Sequence, residues 1–220
     1  MRRSSRTSVC AILGILATVV AARSGPAQSA PQPPPTPDPI ITAADRGRIL
    51  GAESAKLWML VVSDFQCPFC KEWHDATWST IQREYVNTGK IRVAYVNLPL
   101  GMHPNARPAA IEAMCAGVQG KFWQMADALF RTQDRWKDLP APQAFFDGIA
   151  ASVRLDPAAR RACITGRAIP SLIDSDQLRM TRAATRSTPT FFIGGSRLEG
   201  AQPIEQFRRV IDAELAGRRP

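Results

Sequence analysis

What the sequence lacks narrows it first. Its 220 residues contain no dense Lys/Arg run interleaved with aromatic side chains, so the footprint of a nucleic-acid site is missing despite a formal charge of +9. Four of the 28 basic residues, Arg2, Arg3, Arg6 and Arg23, lie in the first 30 positions, and none of the 19 acidic residues does. The rest of the chain therefore carries an excess of only five basic residues, spread along its length. Cysteine is scarce, five in all, and only Cys67 and Cys70 are closely spaced. A four-cysteine zinc site usually needs two close pairs, whereas Cys115 and Cys163 each stand alone, so no metal is expected. There is no internal repeat. Composition, at 45% hydrophobic and 21% charged, excludes a disordered chain and allows one core-bearing domain with room for an insertion.

The first 30 residues read as an export signal. Arg2, Arg3 and Arg6 form a basic start and Val9 to Ala22 an uncharged apolar stretch. Small residues follow, and both Val20-Ala21-Ala22 and Ala27-Gln28-Ser29 could precede a cleavage point. The apolar stretch is short for a membrane span, although retention as an uncleaved anchor is the competing reading. Arg2-Arg3 is followed by Ser4-Ser5, a weak match to a twin-arginine signal, and Cys10 lies too early to be a lipoprotein cysteine. Removing Cys10 with the signal leaves Cys67, Cys70, Cys115 and Cys163, an even set suited to an oxidising, extracytoplasmic compartment such as the periplasm. Residues 31–40 are dominated by proline and are expected to form an extended leader, with folding starting near Ile41.

Beyond the leader the pattern is α/β. Leu57 to Val62 is a continuous apolar run with the composition of a buried strand. A helix is predicted to start at Cys67, with Pro68 in its first turn, Phe69, Trp73, Ile81 and Tyr85 on one face, and Gly89 as the stop. Ile91 to Val96 then gives a second strand, parallel to the first across the helix. Residues 105–186 read as helices throughout, over 109–118, 121–131, 142–153, 157–166 and 171–185, separated by Gly and Pro. Within them Phe122, Trp123, Phe130, Phe145 and Phe146 are expected core residues. A hairpin over Thr190–Ile193 and Arg197–Glu199, turning at Gly194-Gly195, and a last helix from about Pro203 to Leu215 complete the chain. The organisation expected is thus a sheet domain over 41–104 and 187–220, interrupted by an all-helical insertion over 105–186.

The Cys67-Pro68-Phe69-Cys70 motif carries the chemistry. Two cysteines three positions apart at a helix start can bond across one turn, a geometry that suits a switch better than a staple. Backbone N–H groups and the helix dipole there favour a thiolate at Cys67, making it the nucleophile, while Cys70 resolves the mixed disulfide. A thiol pKa well below the free-cysteine value of about 8.5 is expected. A static bond and half of a metal site are the alternatives. His74 and His103, the only histidines, read as solvated surface residues without a catalytic role.

Four ordered motifs carry a resemblance: Ser63-Asp64-Phe65-Gln66-Cys67-Pro68-Phe69-Cys70; Leu98-Pro99-Leu100 with His103-Pro104; Cys115-Ala116 with Gly120-Lys121-Phe122-Trp123; and Thr188-Pro189-Thr190-Phe191. By these the chain resembles the DsbA-like branch of the thioredoxin superfamily, over most of the length that follows the leader. The resemblance implies a thioredoxin-like fold with a helical insertion and a cis Thr188-Pro189 bond packed on the cysteine pair. Thr188 backbone would be free there to pair with an extended client, and Pro68, Phe69, Thr188 and Pro189 would form the client-binding rim. It also implies a structural disulfide between Cys115 and Cys163, against the alternative of two buried free thiols, and no cofactor beyond the redox-active pair. The family commonly carries an acidic residue six positions before the first cysteine. Here it is Val61, which removes a charge that would oppose the Cys67 thiolate.

The function implied is a thiol-disulfide oxidoreductase acting on unfolded or partly folded exported proteins that contain cysteines, and reset by a membrane or soluble redox partner. An aromatic after Pro68, unlike the Gly-Pro pair of reducing thioredoxins, suits an oxidising centre, so disulfide formation is expected. Isomerisation or reduction is the first alternative, and a thioredoxin-like module that holds a metal or partner protein is the second. Only Pro31 to about Ser54 precedes the sheet domain, too little for a separate dimerisation module, and a monomer is expected.

Overall fold

The structure is a computed structural model that describes residues 38–217. The expected export signal, Cys10 and most of the proline-rich leader lie outside the described residues. Helix α1 (Pro39–Gly47) starts two residues inside the stretch expected to be leader. Asp38 caps it, its carboxylate accepting from the N–H of Ile40 at 2.7 Å and of Ile41 at 3.4 Å, and Pro39 occupies the first turn, where it needs no N–H partner.

The sheet has five strands in the order β1-β3-β2-β4-β5, over Ile49–Leu50, Leu57–Ser63, Ile91–Asn97, Thr190–Ile193 and Ser196–Glu199 for β1 to β5. Strands β2 and β3 are parallel, in register from Leu57 opposite Ile91 to Ser63 opposite Asn97, and the helix between them is the crossover. Strand β4 runs antiparallel to β2, setting Thr190 opposite Val62. That register carries the residues preceding Thr190 alongside the C-terminal end of β2, where the cysteine motif begins.

The crossover helix opens as α2 (Pro68–Trp73), widens to a π-helical turn over His74–Trp78, returns to α over α3 (Ser79–Ile81) and widens again over Gln82–Val86. With α10 (Ile204–Leu215) it covers one face of the sheet. Met59, Val61, Val93, Phe191 and Ile193 meet Trp73, Ile81, Phe207 and Ile211 there, all of them buried. Complete burial of an Ile, Met or Phe side chain is worth roughly 1.5–3 kcal/mol, so this apolar face fixes the strand register more firmly than the ladder does.

Six helices lie between β3 and β4: α4 (Ala106–Val118), α5 (Phe122–Arg131), α6 (Gln133–Trp136), α7 (Gln143–Ser152), α8 (Pro157–Thr165) and α9 (Ala168–Arg182). They enclose a second core of Met114, Met125, Leu129, Trp136, Phe146 and Ile173, which reaches Phe65, Cys67 and Cys70 at the edge of the sheet. The expected aromatics divide: Phe122, Phe130 and Phe146 are buried, whereas Trp123 and Phe145 are partly covered. Buried Asp176 of α9 ties this layer to the sheet. Its carboxylate accepts from the Asn97 backbone and side chain at 3.1 Å each and pairs with buried Arg48. The architecture is a thioredoxin-like α/β fold with a helical insertion.

Candidate active site

Strand β2 ends at Ser63, and the next four residues form a braced loop. The Asp64 side chain is fully buried, and its Oδ1 accepts from the N–H of Gln66 at 2.7 Å and of Cys67 at 3.2 Å. Phe65 is driven inward, stacked on Tyr95 at 4.9 Å between ring centroids and tilted against Phe130 at 5.0 Å. Gln66 spans to the insertion, accepting from the Asn105 N–H at 2.6 Å and donating to the Lys137 carbonyl at 2.7 Å. Gln133, the first residue of α6, donates to the carbonyls of Phe65 at 2.7 Å and Cys67 at 3.1 Å. Both ends of the Cys67 backbone are therefore held, by Asp64 from the loop and by Gln133 from the insertion.

Cys67 is the cap of α2, with an extended backbone that turns its side chain to the helix start, and Pro68 takes the first helical position. Cys67 and Cys70 are both buried and unbonded, whereas Pro68 is exposed and Phe69 is 58% exposed. The two thiols are strongly unlike. Cys67 is brought down to about 6, chiefly because the Cys70 thiol donates to its thiolate, with the Thr188 side chain and the N–H groups of Cys70 and Phe69 adding to this against the effect of burial. Cys70 is pushed well up by complete burial and by the neighbouring Cys67, and the Ser63 hydroxyl acts against that rise. Such a pair holds one ready nucleophile and one protonated reserve.

Opposite the motif, the Thr188-Pro189 bond is cis and both residues are buried. The Cys67 thiol donates to the Thr188 carbonyl at 3.4 Å, and the Thr188 hydroxyl is buried with no other partner. The Thr188 carbonyl is thus engaged while Cys67 is a thiol, which differs from the expectation of a backbone wholly free for a client. Val61 is buried in register between Tyr95 and Phe191, packed as an ordinary core residue.

Cys115 of α4 and Cys163 of α8 are bonded to each other, their Cα atoms 5.7 Å apart, and both are buried. Among the described residues no group of three or more His, Cys, Asp or Glu side chains could hold a metal ion.

Both histidines depart from the expectation of solvated surface residues. His74 is buried, its ring stacked on Phe130 at 4.8 Å, with Nε2 at 3.1 Å from Asp127 and Nδ1 at 3.2 Å from Asp75. The His103 side chain is 16% exposed and meets the second oxygen of Asp64 at 2.7 Å. Sequence reasoning gave no role to Asp64 or Gln133 and read His103 as a surface residue without one. Asp64 and His103 stand inside the quoted motifs and so carried a signal, whereas α6 is one short turn and Gln133 carried none.

A model of the family described as thioredoxin matches residues 43–213. A Na(+)/H(+) antiporter NhaA 1 of Salinispora arenicola is 31% identical over 176 residues, which are 80% of this chain and 26% of the antiporter. The chain thus spans about a quarter of the length of that relative. Disulfide bond formation protein D of Bacillus subtilis is 20% identical over 172 residues, 77% of this chain and 78% of that protein. Among solved structures, α-DsbA1 of Wolbachia pipientis superposes with a TM-score of 0.69 at 23% identity, over 77% of this chain and 91% of that one. The match of the family model across both halves of the sheet and the insertion leads to one assignment: the chain belongs to the thioredoxin family, with the fold of its DsbA-like members.

Proposed function

We propose that this protein is a thiol-disulfide oxidoreductase that introduces disulfides into exported proteins. The observation that carries the reading is the asymmetry of the cysteine pair, with Cys67 down to about 6 and Cys70 held protonated in the core. In the oxidised enzyme a client thiolate attacks the Cys67 sulfur, breaking the Cys67–Cys70 bond and releasing Cys70 as the leaving thiolate, which takes up a proton. A second client thiolate then attacks the client sulfur of the mixed disulfide, forming the client disulfide and releasing Cys67 as a thiolate. A low thiol pKa makes Cys67 a good leaving group in that second step, which drives the exchange toward oxidised client and reduced enzyme.

Pro68, Phe69, Thr188 and Pro189 form the client-binding rim, with the exposed Phe69 ring offering an apolar contact beside the sulfur. Clients are unfolded or partly folded exported chains with cysteines, and an extracytoplasmic redox partner, membrane-bound or soluble, takes the electrons back from the reduced pair. The working compartment is the periplasm or its equivalent, reached through residues 1–30, and the working form is a monomer. What supports the compartment is the even cysteine set and the bonded Cys115–Cys163 pair. Among the described residues no helix is long and apolar enough to cross a membrane.

Two assays on the oxidised protein test the direction. Oxidative refolding of a reduced client is expected to proceed faster than rescue of a scrambled one. The reverse order would make the protein an isomerase, and activity in neither would make it a binding module.

A further inference from the structure

The mechanism above leaves unused the buried acidic group nearest the cysteine motif in sequence, the Asp64 carboxylate. All of its described contacts are to donors: the N–H groups of Gln66 at 2.7 Å and Cys67 at 3.2 Å on Oδ1, and the Leu100 N–H at 2.9 Å and His103 Nδ1 at 2.7 Å on Oδ2. One side chain therefore ties together the loop that presents Cys67 and the loop that follows β3, which carries His103. Its side chain has no exposed surface, so solvent does not screen its charge. A lone carboxylate so close to the nucleophile would oppose a second negative charge on the Cys67 sulfur, and yet its hydrogen bonds are what fix that residue's backbone.

His103 resolves the conflict. Its ring lies at the rim of a cavity of about 570 Å³ lined also by Gln66, Pro68, Met102 and Asn105, and it reaches Asp64 from the solvent side. The other charged side chains on that cavity are Asp134, Lys137 and Asp138, and Lys137 pairs with its neighbour Asp138. We propose that Asp64 and His103 form a positioning pair for thiol exchange: the carboxylate fixes the backbone that presents Cys67, and the imidazole hydrogen-bonded to its second oxygen offsets the charge by which this carboxylate would oppose the thiolate. Val61 makes the arrangement consequential, because with no acidic side chain at that position Asp64 is the buried carboxylate that bears on the motif.

The inference rests on the thiol-exchange reading, and its test is separable from it. The reduced full chain is titrated without any client, following the thiolate absorbance of Cys67 against pH, for the wild type and for His103→Gln, Asp64→Asn and the double variant. His103→Gln removes the imidazole's offset and is expected to raise the Cys67 midpoint by about one pH unit; Asp64→Asn removes the opposing charge and lowers it. The double variant returns toward the wild type. Below the midpoint each unit changes the alkylation rate about tenfold, which gives a second readout. A purely structural brace would move both single variants in the same direction, and that result, or no shift in folded His103→Gln, would overturn the proposal. Should Asp64→Asn fail to fold, His103→Lys decides: a midpoint restored toward the wild type supports the electrostatic offset, and one equal to that of His103→Gln rejects it. Client refolding by the wild type is scored separately, so failure of the oxidase reading leaves the titration result standing.

Discussion

Cys67 and Cys70 sit three positions apart at the start of a helix, unbonded, with one thiol stabilised as thiolate and the other as thiol. Cys115 and Cys163, 48 positions apart, join two helices of the insertion and are bonded. The same element thus serves two ends in one chain, and what separates them is the surroundings. The first pair has donors aimed at one sulfur and a cis proline loop against it, whereas the second ties together two helices that the Glu112–Arg160 ion pair also joins. Reactivity follows from the asymmetry of a pair and stability from the length of chain it closes.

The sharpest way to break the comparison is to remove one sulfur from each pair. Cys67→Ser is expected to lower client oxidation by at least about a thousandfold, because the sulfur that is attacked in the first step and leaves in the second is gone. Its denaturation midpoint should stay close to that of the reduced wild type. Cys115→Ala with Cys163→Ala should do the opposite, retaining exchange at low temperature while losing about 4 kcal/mol in a denaturant titration, the loop-closure value for a bond spanning 48 residues. If the double variant instead lost exchange with its stability intact, the division of labour would be wrong.

Two further tests sharpen it. Gln133→Ala leaves the buried Phe65 carbonyl short of a donor, while the Cys67 carbonyl keeps the Lys71 N–H, and should cost roughly 1–3 kcal/mol by denaturant titration, with a slower Cys67 alkylation at fixed pH. The smallest effect per step is the pH dependence. With Cys67 at about 6, its alkylation rate should rise about tenfold per unit up to that pH and level off above about 7, whereas an ordinary cysteine would still be rising at 8. Because the folded value lies below the unfolded one, the stability that thiolate formation gives the reduced protein is fully present above about pH 8.5. It is lost as the pH falls through about 6. Cys70, whose shift is upward, contributes no thiolate in that window.

The legible part of the sequence was the part whose signal is local. Leu57–Val62 and Ile91–Val96 are apolar runs flanked by turn residues, and each strand extends only one residue past its expected end. The cysteine motif announces a helix start, since proline is tolerated in a first turn and cysteines three apart face one side. Helix α1 was hidden by the prolines before it, although Asp38-Pro39 is a cap followed by a first-turn proline. Strand β1 is two residues long and exists only because β3 offers it an edge, and α6 is a single turn held by tertiary contacts. His103, read as a solvated surface residue, is instead mostly covered and bonded to Asp64. Nothing in its neighbours predicts a partner 39 positions away, and the loop after β3 meets Asp64 only once the parallel register sets Ser63 opposite Asn97.

The measurement that bears most directly on the whole account is the reduction potential of Cys67–Cys70, read by equilibration with glutathione buffers. A thiolate favoured to this degree stabilises the reduced form, so the pair should be strongly oxidising, nearer the value of about −120 mV of a disulfide donor than the value of about −270 mV of thioredoxin. A potential at or below about −270 mV would contradict the assignment of this protein as an oxidase.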